Sequence, residues 1–205
     1  FVSIADKKSE ELIFKKLHGF LNIKNFIGEE ASYIDKKQYT NLLNEPLVWV
    51  VDPIDGTKNY INGKVNFCSM ISLASDSIPI ATFIYHPFKK KIVYSFKDFG
   101  AYSLDIDTKN ITKLLINSSN SKNILGSGGT KGIPNLYRQS ILDNLRNKTK
   151  RVFIGSAGIE TIMLAQNKTQ FLFHGRVTPW DHSPLDLIIR EAGGVVYMIK
   201  NKEKF

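Results

Sequence analysis

Leu47-Val48-Trp49-Val50-Val51-Asp52-Pro53-Ile54-Asp55-Gly56-Thr57 turns, within one short segment, from an apolar run into two carboxylates, a proline and a glycine. The apolar half has the β-branched and aromatic content of a buried strand. It carries the backbone through a core, and Asp52 and Asp55 then emerge together at the strand's end. In α/β proteins that edge is where ligands bind. Gly56 lets backbone approach a ligand closely, and Thr57 with the amides after it can hold an anion at a helix start. The segment reads as a metal and phosphate site. Asp, Pro and Gly are equally ordinary turn residues, chosen for φ preference and local hydrogen bonds, so partners elsewhere in the chain have to decide.

At 205 residues, 42% hydrophobic and 11% aromatic, the chain can bury one large core or two small ones. No apolar run approaches the ~20 residues that span a bilayer, and no secretory signal opens the chain. The single cysteine, Cys68, excludes an internal disulfide and fits a reducing compartment. Lying in an apolar strand, it reads as a buried structural thiol. A cytoplasmic location is expected. The chain opens on Phe1 with helical sequence close behind, which suggests a fragment. The net charge of +9 invites a nucleic-acid reading. The lysines are dispersed, however, as in Lys7-Lys8, Lys36-Lys37 and Lys89-Lys90-Lys91. They form no aromatic-interleaved face, so neither nucleic acid nor membrane is expected as a stable partner. A positive field still speeds encounter with small phosphorylated substrates.

The rest of the chain divides in texture. A helix is expected from Ala5 to Leu21, with Ile13, Leu17, Phe20 and Leu21 at helical spacing and Asp6 as a cap. Gly28-Glu29-Glu30 follows an apolar lead-in. Short strands are expected at Val65–Ala74, Ile78–Tyr85, Lys91–Phe96, Gly100–Leu104 and Ile111–Ile116, a pattern of an antiparallel sheet. Beyond Asn117 strands and helices alternate, as in an α/β half. This part holds a short strand at Asn123–Leu125, a glycine-rich loop at Gly126–Gly132 and a helix from Pro134 with Tyr137, Ile141 and Leu145 on one face. It continues with a strand at Arg151–Ile154, a helix to Ala165, a strand at Gln170–His174, a helix at Asp181–Ala192 and a last strand at Val195–Ile199. Two tightly packed halves are expected, residues 1–116 and 117–205.

Trp49-Val50-Val51-Asp52-Pro53-Ile54-Asp55-Gly56-Thr57-Lys58-Asn59-Tyr60 resembles the first signature of the inositol monophosphatase superfamily, Mg²⁺-dependent, lithium-sensitive phosphatases. Gly28-Glu29-Glu30 resembles its upstream glutamate motif, and Val2-Ser3-Ile4-Ala5-Asp6 the pattern before it. Trp180-Asp181-His182 with Glu191-Ala192-Gly193-Gly194 resembles the second signature. The matches run in order over essentially the whole chain. The resemblance implies an α+β / α/β sandwich layered α-β-α-β-α and hydrolysis of a phosphate monoester without a covalent intermediate. It also implies two or three Mg²⁺ ions held by Glu29, Asp52, Asp55, Asp181 and the backbone carbonyl of Ile54. Hard oxygen donors suit Mg²⁺, and four carboxylates balance two divalent ions. Each aspartate also has a plain structural reading, Asp181 as a helix cap. Glu29 and Thr57 would orient and deprotonate the attacking water, beside Asp55. The amides of Gly56 and Thr57 would bind phosphate oxygens. Family members are commonly homodimers, so one is expected here.

For the leaving group, the family uses the turn matching Gly155-Ser156-Ala157 and a residue before the second signature. Inositol-preferring members place a glutamate there; this chain has His174, and Arg176 is a further candidate for a charged substrate. His182 reads as a structural neighbour of Asp181. Members normally carry a helix and a mobile, lysine-containing loop before the segment matching Val2, and the present sequence does not include them. The same motifs serve enzymes acting on inositol phosphate, 3′-phosphoadenosine nucleotides, fructose bisphosphate, NADP and histidinol phosphate, and the sequence does not choose among them. Two readings compete. Haloacid-dehalogenase-type phosphatases end a strand in D-x-D-G-T with a nucleophilic first aspartate, but D-x-x-D-G-T is one residue longer. An inactive phosphate or nucleic-acid binding module of the same fold is the other.

Overall fold

The computed structural model describes residues 3–21, 23–34, 41–42, 45–117, 124–198 and 203–204. Helix α1 (Ile4–Leu21) leads to strand β1 (Phe26–Gly28) and the short helix α2 (Glu29–Ile34). Strand β2 (Leu47–Asp55) carries the opening segment and passes directly into helix α3 (Thr57–Ile61). A meander follows: β3 (Cys68–Ser75), β4 (Ile78–His86), β5 (Lys91–Phe96), β6 (Gly100–Asp105) and β7 (Ile111–Leu114). These strands lie in sequence order in one seven-stranded sheet, with β1 parallel to β2 and every later pair antiparallel. Asp76 and Ser77, both at positive φ (49° and 65°), make the β3–β4 turn, the backbone twist that suits a two-residue hairpin.

The second half comprises β8 (Ile124–Gly129), α4 (Asn135–Lys148), β9 (Thr149–Val152), α5 (Ala157–Ala165), β10 (Phe171–His174) and α6 (Pro179–Glu191), then β11 (Tyr197–Met198) and β12 (Glu203–Lys204). Strands β10, β8 and β9 form a parallel three-stranded sheet with β8 in the middle. Helix α6 lies across β2 to β6, and α5 bridges it to the second sheet. With α1 on β2 and α4 on β9, the layers run α-β-α-β-α, as the sequence led one to expect.

One core fills the space between the large sheet and the two central helices. Met70, Ile84, Val93, Ala101 and Leu114 meet Ile159, Ile162, Leu185, Ile188, Ile189 and Ala192. Leu185, Ile188, Ile189 and Ala192, at helical spacing on the helix expected at Asp181–Ala192, are thus buried. Beside it Ile27, Val48, Val50 and Ala74 enclose Trp180, so β2 is buried on both faces. That explains its unbroken apolar run. Glu191 at the end of α6 accepts the amides of Asp98 (2.8 Å) and Gly100 (2.7 Å), tying the helix to the β5–β6 hairpin.

Some local expectations change. Gly126 to Gly129 form the central strand β8 rather than a loop. A Cβ on Gly126 would lie 2.1 Å from the Phe171 ring, and one on Gly128 would lie 1.8 Å from the Phe173 carbonyl oxygen. The glycines therefore serve close strand packing. Helix α6 begins at Pro179, two residues ahead of Asp181, because proline suits the first helical turn. In α1 the buried residues are Asp6 and Glu10, while Phe20 and Leu21 are exposed. No residue of α4 is buried. The strand expected at Val195–Ile199 covers only Tyr197–Met198 and pairs with β12, and residue 199 lies outside the described residues, as does 123.

Gly158 marks the closest approach of α5 to the sheet. A Cβ there would sit 2.4 Å from Cys68 Sγ and 2.6 Å from Met70 Sδ. Gly158→Val is expected to cost about 2 kcal/mol through overpacking, measured by urea unfolding. An unchanged midpoint would show that the contact yields freely.

Candidate metal and phosphate site

Register places the acidic residues before any side chain is considered. On a regular strand, positions three apart point to opposite faces. Here Asp52 pairs with Met70 and Asp55 with Cys68, a shift of one residue across the intervening segment. Met70 and Cys68 share a face of β3, so the bulge returns Asp52 and Asp55 to one side. Pro53, with no amide hydrogen, suits that bulge. β1 pairs with β2 in parallel with Gly28 opposite Val51, which sets Glu29, the next residue, beside Asp52. Asp181 arrives from the first turn of α6, anchored by the Thr178 hydroxyl, which donates to its Oδ2 at 2.6 Å.

The result is a buried acidic cluster. Carboxylate oxygens of Asp52, Asp55 and Asp181 lie within 4.8 Å of one another. Glu29 hydrogen-bonds Asp52 and feels the charges of Asp181 and Asp55. Burial, then Asp181, pushes the Glu29 carboxyl up to about 7. Burial, then Asp181, also lifts Asp55 to about 6, against the lowering pull of its hydrogen bonds. Asp52 is raised well above the usual range by burial and by Glu29, Asp55 and Asp181. Its Oδ1 is buried without a hydrogen-bond partner among the described residues. Repelling carboxylates with an orphaned buried oxygen are what hard divalent cations neutralise.

Asp55 is also the anchor of α5. It accepts from the Ser156 hydroxyl (2.5 Å) and from the amides of Gly158 (2.7 Å) and Ala157 (3.1 Å). Ser156 in turn caps α5 by accepting from the Ile159 amide. Gly155, at φ 75°, allows the chain to enter that turn. Ser156 and Ala157 thus gather at Asp55, and their polar groups hold its carboxylate. The Cys68 thiol is fully buried and donates to Asp55 Oδ2 at 3.4 Å. Burial raises its pKa well above the ordinary value, in keeping with the structural reading.

Thr57 Oγ1 lies 3.2 Å from Asp6 Oδ1 and 3.1 Å from the Ile54 carbonyl oxygen. This pairing makes Asp6 part of the surroundings of Thr57; the N-cap expected of it falls to Ser3, whose hydroxyl accepts the Ala5 and Asp6 amides, while Asp6, the third residue of α1, accepts the Ser3 amide in return. Asp6 is buried, 1% exposed, on a helix whose apolar ends stay exposed. Gly56 sits at φ 86°, where a Cβ would come within 3.0 Å of the Asn66 carbonyl oxygen and Ser156 Cβ. Glu10, unmarked in the sequence, accepts the Glu30 and Ala31 amides and so fixes the first turn of α2, where Glu29 stands. A side chain at Gly28 would collide with the Glu10 carboxylate.

His174, at the end of β10, has both ring nitrogens engaged: Nε2 with Glu160 Oε2 at 2.9 Å and Nδ1 with His182 Nε2 at 3.1 Å. Arg176 is exposed on the segment leading to α6, alongside Gly132. No helix among the described residues is long and apolar enough to cross a membrane.

The fold and this acidic centre define a phosphatase of the sugar-phosphatase architecture, and comparison with known proteins gives the family. The whole chain, residues 1–205, matches the inositol monophosphatase family. It is 30% identical to inositol monophosphatase 1 of Solanum lycopersicum, over 96% of this chain and 71% of that protein. It is 29% identical to a fructose-1,6-bisphosphatase/inositol-1-monophosphatase of Aquifex aeolicus, over 97% and 72%. The IMPase structure of Thermotoga maritima superposes with a TM-score of 0.81 at 22% identity, covering 98% of this chain and 73% of that one. The chain belongs to the inositol monophosphatase family and is a phosphoric monoester hydrolase of that type.

The raised carboxyls make a sign-definite stability prediction. Glu29 and Asp55 ionise later in the folded protein than when unfolded (about 7 against 4.5, about 6 against 3.8). Their stabilising contribution is therefore present at low pH and lost as pH rises through about 6 to 7. Without divalent cation, the melting temperature is expected to fall between about pH 5 and about pH 8, and added Mg²⁺ to restore it. Asp52→Asn, by removing one buried charge, is expected to flatten that fall. A slope identical in wild type and variant would contradict the coupling.

Proposed function

We propose that Glu29, Asp52, Asp55, Asp181 and the carbonyl oxygen of Ile54 hold Mg²⁺ ions, two or three in number as in the family resemblance, and that the enzyme hydrolyses a small phosphorylated metabolite there. The observation that carries this reading is the convergence of three aspartate oxygens within 4.8 Å on a buried, mutually repelling cluster. When bound, such ions acidify water and neutralise charge on phosphate and leaving group. The chain's own residues do the rest. Thr57 Oγ1 can accept a proton from water as its own passes to Asp6 Oδ1, the two oxygens standing 3.2 Å apart. Glu29, held in α2 by the Glu10 cap, orients that water from the other side. Asp55, pinned by three hydrogen bonds from Ser156, Ala157 and Gly158, cannot swing away when a substrate dianion enters. The Gly56 turn presents the first amides of α3, which lack intrahelical partners, to phosphate oxygens.

This arrangement favours water over a covalent aspartate as the nucleophile. Asp52 is 2% exposed and surrounded by carboxylates, an environment that lowers neither its pKa nor its access cost. On the leaving-group side, His174 stands where inositol-preferring members have glutamate, and its nitrogens are spent within the protein. Inositol 1-phosphate is therefore expected to be one substrate of several, beside bisphosphorylated sugars and 3′-phosphonucleotides. Phosphate release from a panel of these, with Mg²⁺ and with or without Li⁺, tests the reading. Asp55→Asn is expected to lower kcat at least a hundredfold, about 2.7 kcal/mol, while circular dichroism retains the folded spectrum. Turnover near that of wild type would sink the metal assignment.

A further inference from the structure

A buried hydrogen-bonded run links the first turn of α5 to the first turn of α6. Glu160, 3% exposed, accepts at Oε2 from His174 Nε2, 2.9 Å away; His174 Nδ1 faces His182 Nε2 at 3.1 Å. His182 Nδ1 lies 3.1 Å from the Thr178 amide, which can only donate. The Thr178 hydroxyl donates to Asp181 Oδ2 at 2.6 Å. His182 Nδ1 also lies 3.0 Å from the Thr178 carbonyl oxygen, so this nitrogen meets a backbone donor and a backbone acceptor. With the His182 proton on Nε2, that ring donates to His174, which donates to Glu160. With it on Nδ1, His182 donates to the Thr178 carbonyl and accepts from His174, whose imidazolium then pairs with the Glu160 carboxylate at 2.9 Å. In both directions His174 carries a proton on Nε2 toward Glu160, and each member of the run is joined to the next.

The same helical turn that supplies Glu160 also supplies Ser156, Ala157 and Gly158 to Asp55. We propose that Glu160 is a positioning residue which, through His174, His182 and Thr178, orients Asp181, so that one turn of α5 sets two of the metal-site carboxylates at once. This rests on the metal-centre reading above. It also accounts for the histidine at position 174: the imidazole there belongs to a structural relay, and a carboxylate in its place would face Glu160 with like charge. Groups that orient metal ligands change metal affinity about 10- to 100-fold when removed.

Two variants and two measurements test it. In the metal-free protein, ¹H–¹⁵N correlation spectra of the imidazoles are expected to show His174 protonated on Nε2, the nitrogen that faces Glu160. Glu160→Leu is expected to abolish that preference and to weaken Mn²⁺ binding, followed by electron paramagnetic resonance, about tenfold. Glu160→Gln, whose amide oxygen still accepts from Nε2, is expected to return the affinity to within about twofold of wild type. A wild-type His174 protonated on Nδ1 alone would overturn the relay whether or not the leucine variant folds. Unchanged Mn²⁺ affinity in Glu160→Leu would overturn it too, as would equal losses in both variants. Wild-type protein that binds no Mn²⁺ would instead remove the metal reading beneath it, a result separable because the tautomers are measured without metal.

Discussion

Three hydrogen bonds to one carboxylate hold this molecule's parts in working order. Asp55, at the end of β2, takes the Ser156 hydroxyl and the amides of Ala157 and Gly158 from a turn about a hundred residues away in sequence. A buried carboxylate without partners is costly. The start of α5 supplies oriented donors and the positive end of a helix, so the cost of burying Asp55 is met by the element that must be docked. The large sheet, the central helix layer and, through α5, the second sheet are thereby referred to one atom group. The glycine at 158 makes the docking close enough, since any side chain there would strike Cys68 and Met70.

Around that anchor the chain gathers charges that would separate if free. Asp181 raises the proton affinity of Glu29, Asp52 and Asp55, and Glu29 and Asp55 raise that of Asp52, with burial as the leading cause at all three. The apolar packing of β2 on both faces and of Trp180 against Val48 and Val50 supplies the stability that keeps them together. Such a centre is destabilising by itself and becomes favourable when countercharge arrives, the usual exchange of stability for function at a prepared site. The bulge between Asp52 and Asp55 makes both of them parts of one cluster, which supports the proposed water-based rather than aspartyl-phosphate chemistry.

The supporting layer is as ordered as the cluster. Glu10 caps α2 beneath Glu29, Asp6 holds Thr57, and the Glu160–His174–His182 run steadies Thr178 beside Asp181. Each of these carboxylates is buried on a helix face that composition alone would assign to apolar side chains, and each is matched to backbone or side-chain donors. α1 is the clearest case: its inward face carries Asp6 and Glu10, while Phe20 and Leu21 at its end remain outside.

The local sequence determined a good deal by itself. The apolar run ending in Asp52 and Asp55 specified a buried strand, the short alternating strands specified an antiparallel sheet, and Leu185, Ile188, Ile189 and Ala192 specified the inward stripe of a helix, because side-chain periodicity is a property of neighbours in the chain. The three separated motifs likewise marked Glu29 and Asp181 as companions of the aspartate pair. Tertiary structure alone decided what depends on residues far apart meeting. It turned Gly126 to Gly129 from an expected loop into the middle strand of a sheet, since the need for glycine there comes from Phe171 and Phe173 across the pairing. It gave Asp6 to Thr57 and Glu160 to His174, contacts that no spacing along the chain encodes. The reading of Asp52 through Thr57 was available from neighbours; the groups that hold it in place were set by packing between helices and sheets that only the folded chain brings together.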